Sequence, residues 1–340
     1  MIIPILADAS LPGLNEAFPA PFKLTRYHTV AEIPILLTNQ DILLCRSTLP
    51  INQKLIKNNP LKIIATASSG IDHIDSTLLA ERNIHLIDAK GSNAISVADY
   101  VLFCLAYLKK NLGFKGKKAG IIGSGAVGTQ VAARLQAIGF EVINYDPPRA
   151  QRDPHFRSTT LSNLMKCDLL CIHANRHHTP PYPSIHLLNK AFLKQLRPNT
   201  VILNAARGGI VNEEDLLHLD NPLIYCTDVY EHEPFINPQI IQLATLCTPH
   251  IAGHSIEAKL RAVTLISEKL HTYYHLPLPL FSIEVQQSHR MLAPGSSWEN
   301  TMLSFYNPWH ETQQLKNATI TSLSKLFQDL RQAHKRTEVF

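Results

Sequence analysis

Arg207, Glu233 and His250 are the residues of this chain whose types could together do chemistry. Arg207 lies in Asn204-Ala205-Ala206-Arg207-Gly208-Gly209, and a guanidinium beside flexible glycines can grip a carboxylate through two parallel hydrogen bonds. Glu233 closes the run Asp228-Val229-Tyr230-Glu231-His232-Glu233 before Pro234, and His250 stands in Thr248-Pro249-His250-Ile251-Ala252-Gly253-His254. A carboxylate bonded to an imidazole fixes the ring and favours its charged form, which suits general acid/base work near neutral pH. Taken singly, each reads as an ordinary loop residue. Their shared position just after strand-like runs sets them apart, because open α/β sheets collect ligands at the carboxyl ends of their strands.

The histidines have a competing use as metal ligands: 250 and 254 are four apart, and 173, 177 and 178 are close together. Pro249 and Gly253 argue against a helix that would bring His250 and His254 to one face, and no Cys or third His recurs at zinc spacing. No metal is expected. His173 ends an apolar run and reads either as a packed residue or as part of a cofactor cleft.

What must position these residues is a sheet, and its strongest sign is Lys118-Ala119-Gly120-Ile121-Ile122-Gly123-Ser124-Gly125-Ala126-Val127-Gly128. An apolar strand runs into G-x-G-x-x-G and then into a helix-forming segment. Gly123 permits the tight turn, Gly125 lets backbone approach a pyrophosphate, and Gly128 lets helix and strand pack closely. The helix N-terminus adds unpaired N–H groups for the anion. A second strand over Phe140–Tyr145 ends at Asp146, placed to hold a ribose hydroxyl and to repel the extra phosphate of NADP, with Arg149 nearby as a softening charge. Further strands are expected over Asp168–His173, Val201–Asn204, Leu223–Thr227 and Thr245–Thr248, spaced for parallel crossovers.

Residues 1–90 carry their own strand-like runs, Ile3–Ala7, Ile42–Cys45, Lys62–Ala67 and His85–Ile87, so the chain reads as two doubly wound α/β domains. Ser96-Val97-Ala98-Asp99 has the form of a capping box opening an apolar helix. From Leu276 to Phe340 the composition changes, with a helical pattern over Leu323–Ala333 that reads as a separate small C-terminal element. The 45% hydrophobic and 17% charged content fits a globular protein with a sizeable interior, and a net charge of +5 without a basic run points away from nucleic acid. Six cysteines in apolar surroundings, without a C-x-x-C pair, read as buried free thiols in a reducing compartment. The N-terminus shows no basic leader and no stretch is long enough to span a bilayer, so a cytoplasmic location without membrane contact is expected.

In order and spacing, the glycine motif, Asn204–Gly208, Asp228–Pro234 and Pro249–Gly253 resemble the D-2-hydroxyacid dehydrogenase family. Ala65–Asp75, Gly91–Ile95, Tyr145–Ala150 and the tail from Phe305-Tyr306-Asn307 to Lys335-Arg336 are similar to a branch that acts on a phosphorylated 2-hydroxy acid in pyridoxal phosphate synthesis. The resemblance implies a flavodoxin-like substrate domain at 1–95, completed by 258–285, and a Rossmann NAD domain at 96–257. It implies a dimerisation region at 286–340, shortened because the chain stops at Phe340, and hence a homodimer. His250 would take the C2 hydroxyl proton with Glu233 behind it, and Arg207 would orient the substrate carboxylate. NAD would meet Gly123, Gly125, Ala126, Val127, Gly128, Asp146, Ala174, Ala205, Ala206, Arg207, Asp228 and Gly253, with Asp228 on the nicotinamide carboxamide. Substrate would meet Ser47, Ser68, Arg207 and His254.

Five residues at three places depart from that pattern. His254 stands where the branch has tyrosine, Ala174-Asn175-Arg176 replaces threonine-proline-leucine, and Ser68 replaces a frequent threonine. The shared catalytic set does not choose the substrate's tail, so phosphoglycerate and hydroxypyruvate enzymes remain alternatives, as does a non-catalytic NAD-binding regulator.

Overall fold

The computed structural model describes residues 2–57, 59–279 and 297–339. The chain divides into two compact units, Met1–Asn93 with Ser255–Ser288 and Ala94–His254 with His289–Phe340. The cuts among the described residues fall after Asn93 and after His254; the expected boundary between 285 and 286 lies outside the described residues.

The first unit holds a parallel sheet of β1 (Ile3–Asp8), β2 (Phe22–Tyr27), β3 (Ile42–Cys45), β4 (Ile63–Thr66) and β5 (His85–Asp88), in the order β2-β1-β3-β4-β5. That is the flavodoxin-like order. β3 and β4 are buried along their whole length, as strands covered on both faces must be. Ala262, Val263, Ile266 and Leu270 of the helix Ile256–Tyr273 cover one face, and Ile33, Leu37, Leu78 and Leu79 the other. The sequence reading passed over β2. It is an edge strand in which Phe22 and Tyr27 alone are fully buried, so its polar residues blur the alternation that marks a strand.

The second unit opens with the helix Ala94–Leu112, and here the expected capping box fails. The helix starts two residues before Ser96, whose buried hydroxyl donates instead to the Ala252 carbonyl at 3.0 Å. The sheet comprises β6 (Lys118–Ile122), β7 (Glu141–Tyr145), β8 (Leu169–Ile172), β9 (Val201–Asn204), β10 (Ile224–Thr227) and β11 (Leu246–Cys247), all parallel, in the order β7-β6-β8-β9-β10-β11. Beyond β7, where a Rossmann sheet carries one more strand, a bond from the Thr159 N–H to the Asn144 carbonyl at 2.7 Å marks the place. The order reverses between β6 and β8, which places the glycine turn at the switch point. Residues 297–339, rather than standing apart, pack into this unit: Met302 joins the core on one side of the sheet, and Leu315, Leu323 and Phe327 the core on the other. All six cysteines are free and buried.

Candidate active site

The glycine turn has the shape expected of a phosphate cradle. Gly123 sits at φ +88°, and a Cβ there would strike the Ala174 backbone N at 2.4 Å. A Cβ on Gly128 would strike the Gly123 carbonyl oxygen at 2.0 Å, so the helix Ala126–Ala137 lies directly on the turn. Gly125 is different: it caps that helix without a side-chain bond, and nothing lies within 4 Å of the Cβ it lacks. Open space at a helix N-terminus with uncovered N–H donors is what a pyrophosphate requires. Gly125 and Ala126 are exposed, and Val127 and Ala174 are half-buried.

Asp146, at the end of β7, accepts from the Ser124 N–H at 2.8 Å and from the Arg149 N–H at 2.9 Å. A carboxylate offers about four acceptor sites, so a ribose can still be bound. Arg149 is committed elsewhere: Nη1 donates to the Ser124 carbonyl at 2.6 Å, Asp153 pairs with it at 3.4 Å, and its guanidinium lies 4.4 Å from the centre of the Phe156 ring. The softening of the Asp146 charge by Arg149 is therefore limited. His173 is packed: neither ring nitrogen has a partner among the described residues, and burial pulls its pKa down to about 3.

Three loops at the carboxyl ends of β9, β10 and β11 carry Arg207, Glu233 and His250. Asn204, the last residue of β9, accepts from the Ala206 N–H at 3.2 Å and donates to the Arg207 carbonyl at 3.0 Å, which shapes the turn holding Arg207. Arg207 Nη1 donates to the Ala206 carbonyl at 2.7 Å. Behind that turn, Glu213 and Glu231 each accept from the other's N–H at 3.1 Å, tying the Arg207 segment to the Glu233 segment. Burial, with the Glu231 and Glu233 charges, pushes Glu213 up to about 7 against its bond from Glu231.

His250 Nδ1 lies 2.7 Å from Glu233 Oε2, and the Tyr230 N–H donates to Glu233 Oε1 at 3.0 Å. Burial opposes a charged Glu233, but the charge and hydrogen bond of His250 with the Tyr230 N–H hold its carboxyl below the ordinary range. With Nδ1 donating to Glu233, Nε2 is left to exchange a proton. The expected pair is thus brought together.

Asp228 has a different geometry from the one expected. Its carboxylate is 1% exposed and accepts from Thr248 Oγ1 at 2.7 Å and the N–H groups of Ile251 and Ala252, both at 2.8 Å. It holds the loop that bears His250, a residue in the left-handed region at φ +55°. Burial raises the Asp228 pKa against those bonds. Thr248 is secured in turn by the Tyr100 hydroxyl at 2.6 Å, and its carbonyl accepts from Tyr230 at 3.0 Å. The sequence reading gave Tyr100, Tyr230 and Thr248 no role of their own, because local sequence does not show that both tyrosine hydroxyls meet Thr248. Gly253 and His254 follow on the same loop, with the His254 N–H on the Ile251 carbonyl at 2.8 Å; Ala205 is half-buried and Ala206 is 8% exposed.

Ser47 and Ser68 belong to the first unit, each just beyond a strand end: Ser47 is exposed, and half-buried Ser68 accepts from the Gly70 N–H at 3.4 Å. Among the described residues no group of three or more His, Cys, Asp or Glu side chains is arranged to hold a metal ion.

Comparison with known proteins bears on family and fold. Residues 106–252 match the family described as D-isomer specific 2-hydroxyacid dehydrogenase, NAD binding domain. The chain is 55% identical to an erythronate-4-phosphate dehydrogenase of Legionella pneumophila, covering 99% of this chain and 95% of that one. It is 39% identical to an erythronate-4-phosphate dehydrogenase of Coxiella burnetii, covering 93% and 87%. In fold it is similar to the NAD-bound 3-phosphoglycerate dehydrogenase of Entamoeba histolytica, with TM-score 0.66, 22% identity, and coverage of 83% of this chain and 99% of that one.

Proposed function

The chain belongs to the D-isomer specific 2-hydroxyacid dehydrogenase family, and from that premise we propose that it oxidises 4-phospho-D-erythronate at C2 to (R)-3-hydroxy-2-oxo-4-phosphobutanoate in pyridoxal phosphate synthesis. The observation that carries the chemistry is the 2.7 Å bond between His250 and Glu233. The likeness to the Legionella enzyme over nearly the whole of both chains supports the choice of substrate.

His250 Nε2 takes the C2 hydroxyl proton, and Glu233 stabilises the imidazolium that results. Arg207 grips the substrate carboxylate and stabilises negative charge on the C2 oxygen. NAD, when bound, supplies the acceptor for the hydride that leaves C2. Gly123, Gly125 and the first turn of the helix Ala126–Ala137 hold its pyrophosphate, and Asp146 holds a ribose hydroxyl. Asp228 acts on this site through the loop it anchors, and Ala174, Ala205, Ala206 and Gly253 line the cofactor. Ser47, Ser68 and His254 contact the substrate, the first two from a substrate-binding unit. The protein works as a homodimer in the cytoplasm; no helix among the described residues is long and apolar enough to cross a membrane.

Initial rates of NADH formation on a panel of 2-hydroxy acids test the reading. Preference for 4-phospho-D-erythronate over 3-phosphoglycerate and unphosphorylated acids is expected, and preference for an unphosphorylated acid contradicts it.

A further inference from the structure

Arg336 is drawn from the end of the chain into the interior of the second unit and is 6% exposed. Burying a guanidinium costs several kcal/mol unless its charge and donors are matched. Its Nη2 donates to the Ala252 carbonyl at 2.8 Å, the Ser96 carbonyl at 3.0 Å and Ser96 Oγ at 2.6 Å. Its Nε and Nη1 have no hydrogen-bond partner among the described residues. The guanidinium lies 5.1 Å from the Phe103 ring centre and 5.5 Å from that of Tyr306. The hydrogen bonding of this cation is therefore divided between Ser96, with two bonds, and the Ala252 carbonyl, with one, and Ser96 Oγ itself donates to that carbonyl.

The point that Arg336 and Ser96 share is Ala252, two residues past His250. Its carbonyl accepts from Arg336 and from Ser96 Oγ, and its N–H donates to Asp228 Oδ2. The peptide groups on both sides of Ala252 are fixed, one by Asp228 and the other by the chain's last residues. The tail is itself tied down: the Val339 N–H donates to Asp99 Oδ2 at 2.8 Å, and His334 pairs with Glu311 at 3.4 Å. Asp99 also pairs with Arg134 at 3.2 Å.

We propose that Arg336 is a positioning residue for the oxidation, carried by the C-terminal tail to lock the Ala252 carbonyl and thereby the loop that bears His250. The inference rests on the reading of His250 as the acid/base. The Asp228 bonds fix one end of the segment 250–252, and Arg336 with Ser96 fixes the other. A misplacement of about 1 Å at a reacting group can cost 100-fold, so slack at Ala252 acts on turnover rather than on cofactor affinity.

The test uses the full chain with Arg336→Met, which keeps apolar length and removes the donors, alongside Ser96→Ala and the double variant. Turnover is expressed per NADH-binding site, so that unfolded protein is not counted. Arg336→Met is expected to lower kcat about 10- to 100-fold with KM for NAD changed by less than about threefold, and Ser96→Ala to lower kcat about three- to tenfold. The double variant should be no slower than Arg336→Met, because both residues act at one carbonyl. An unchanged kcat per site in Arg336→Met, or losses that multiply in the double variant, overturns the proposal. If Arg336→Met yields no folded protein, Ser96→Ala decides: reduced kcat at an unchanged melting temperature supports it, and unchanged kcat overturns it. His250→Ala in the same assay separates the two readings, since retained turnover there removes the acid/base role whatever Arg336 does.

Discussion

Gly208 lies so close to Tyr230 that a Cβ on the glycine would stand 1.8 Å from the Tyr230 carbonyl oxygen. The turn bearing Arg207 is thus seated directly on the segment leading to Glu233. Gly208→Ala must push the two apart. Overpacking against backbone costs about 1–3 kcal/mol, so thermal melting should fall by several degrees and kcat/KM by at least about tenfold. Melting and steady-state kinetics on one preparation check both.

Gly125 and Gly128 should respond in opposite ways. Gly128→Ala meets the Gly123 carbonyl and is expected to destabilise the protein before any ligand is added. Gly125→Ala meets open space at φ −76° and should leave melting unchanged, while its methyl group obstructs a pyrophosphate and weakens NADH binding about tenfold or more. Fluorescence titration of NADH against each variant measures the difference.

Much of the fold was legible because it rests on buried parallel strands: Ile42–Cys45 and Val201–Asn204 are continuous apolar runs and occur as read. Edge strand β2 was not, since half of its surface faces away from the core. Ser96-Val97-Ala98-Asp99 satisfied the capping pattern yet lies inside a helix, because Ser96 and Asp99 serve tertiary partners that local sequence does not reveal. In the site, Glu233 and His250 were legible from their positions after strands. The grip of Asp228 on Ile251 and Ala252, and that of Arg336 across 84 residues of chain, exist only once the sheet brings those segments together.

On the proposed reading Asp146 sets the choice of cofactor, since Arg149 is held by Ser124 and Asp153. Asp146→Ser is expected to raise KM for NAD about tenfold and to narrow the preference for NAD over NADP, because a carboxylate that repels the extra phosphate is gone. Steady-state kinetics with both cofactors is the check.

Glu213 should give stability an acid-side bias. Its folded-state pKa, about 7, lies above the ordinary 4.5, so the folded protein binds more protons between those values and stability falls as pH rises through that window. Glu213→Gln keeps an acceptor for the Glu231 N–H and removes the charge. Relative to the parent protein, the variant should gain in urea midpoint between about pH 5 and about pH 8. A difference that is flat across that range contradicts the burial of a titrating carboxyl at 213.

The most direct test of the account is His250→Ala, with turnover of 4-phospho-D-erythronate and NADH binding measured on the same preparation. A loss of about 100-fold or more in kcat, with NADH affinity retained, is predicted from the Glu233–His250 pair. Near-normal turnover would contradict it.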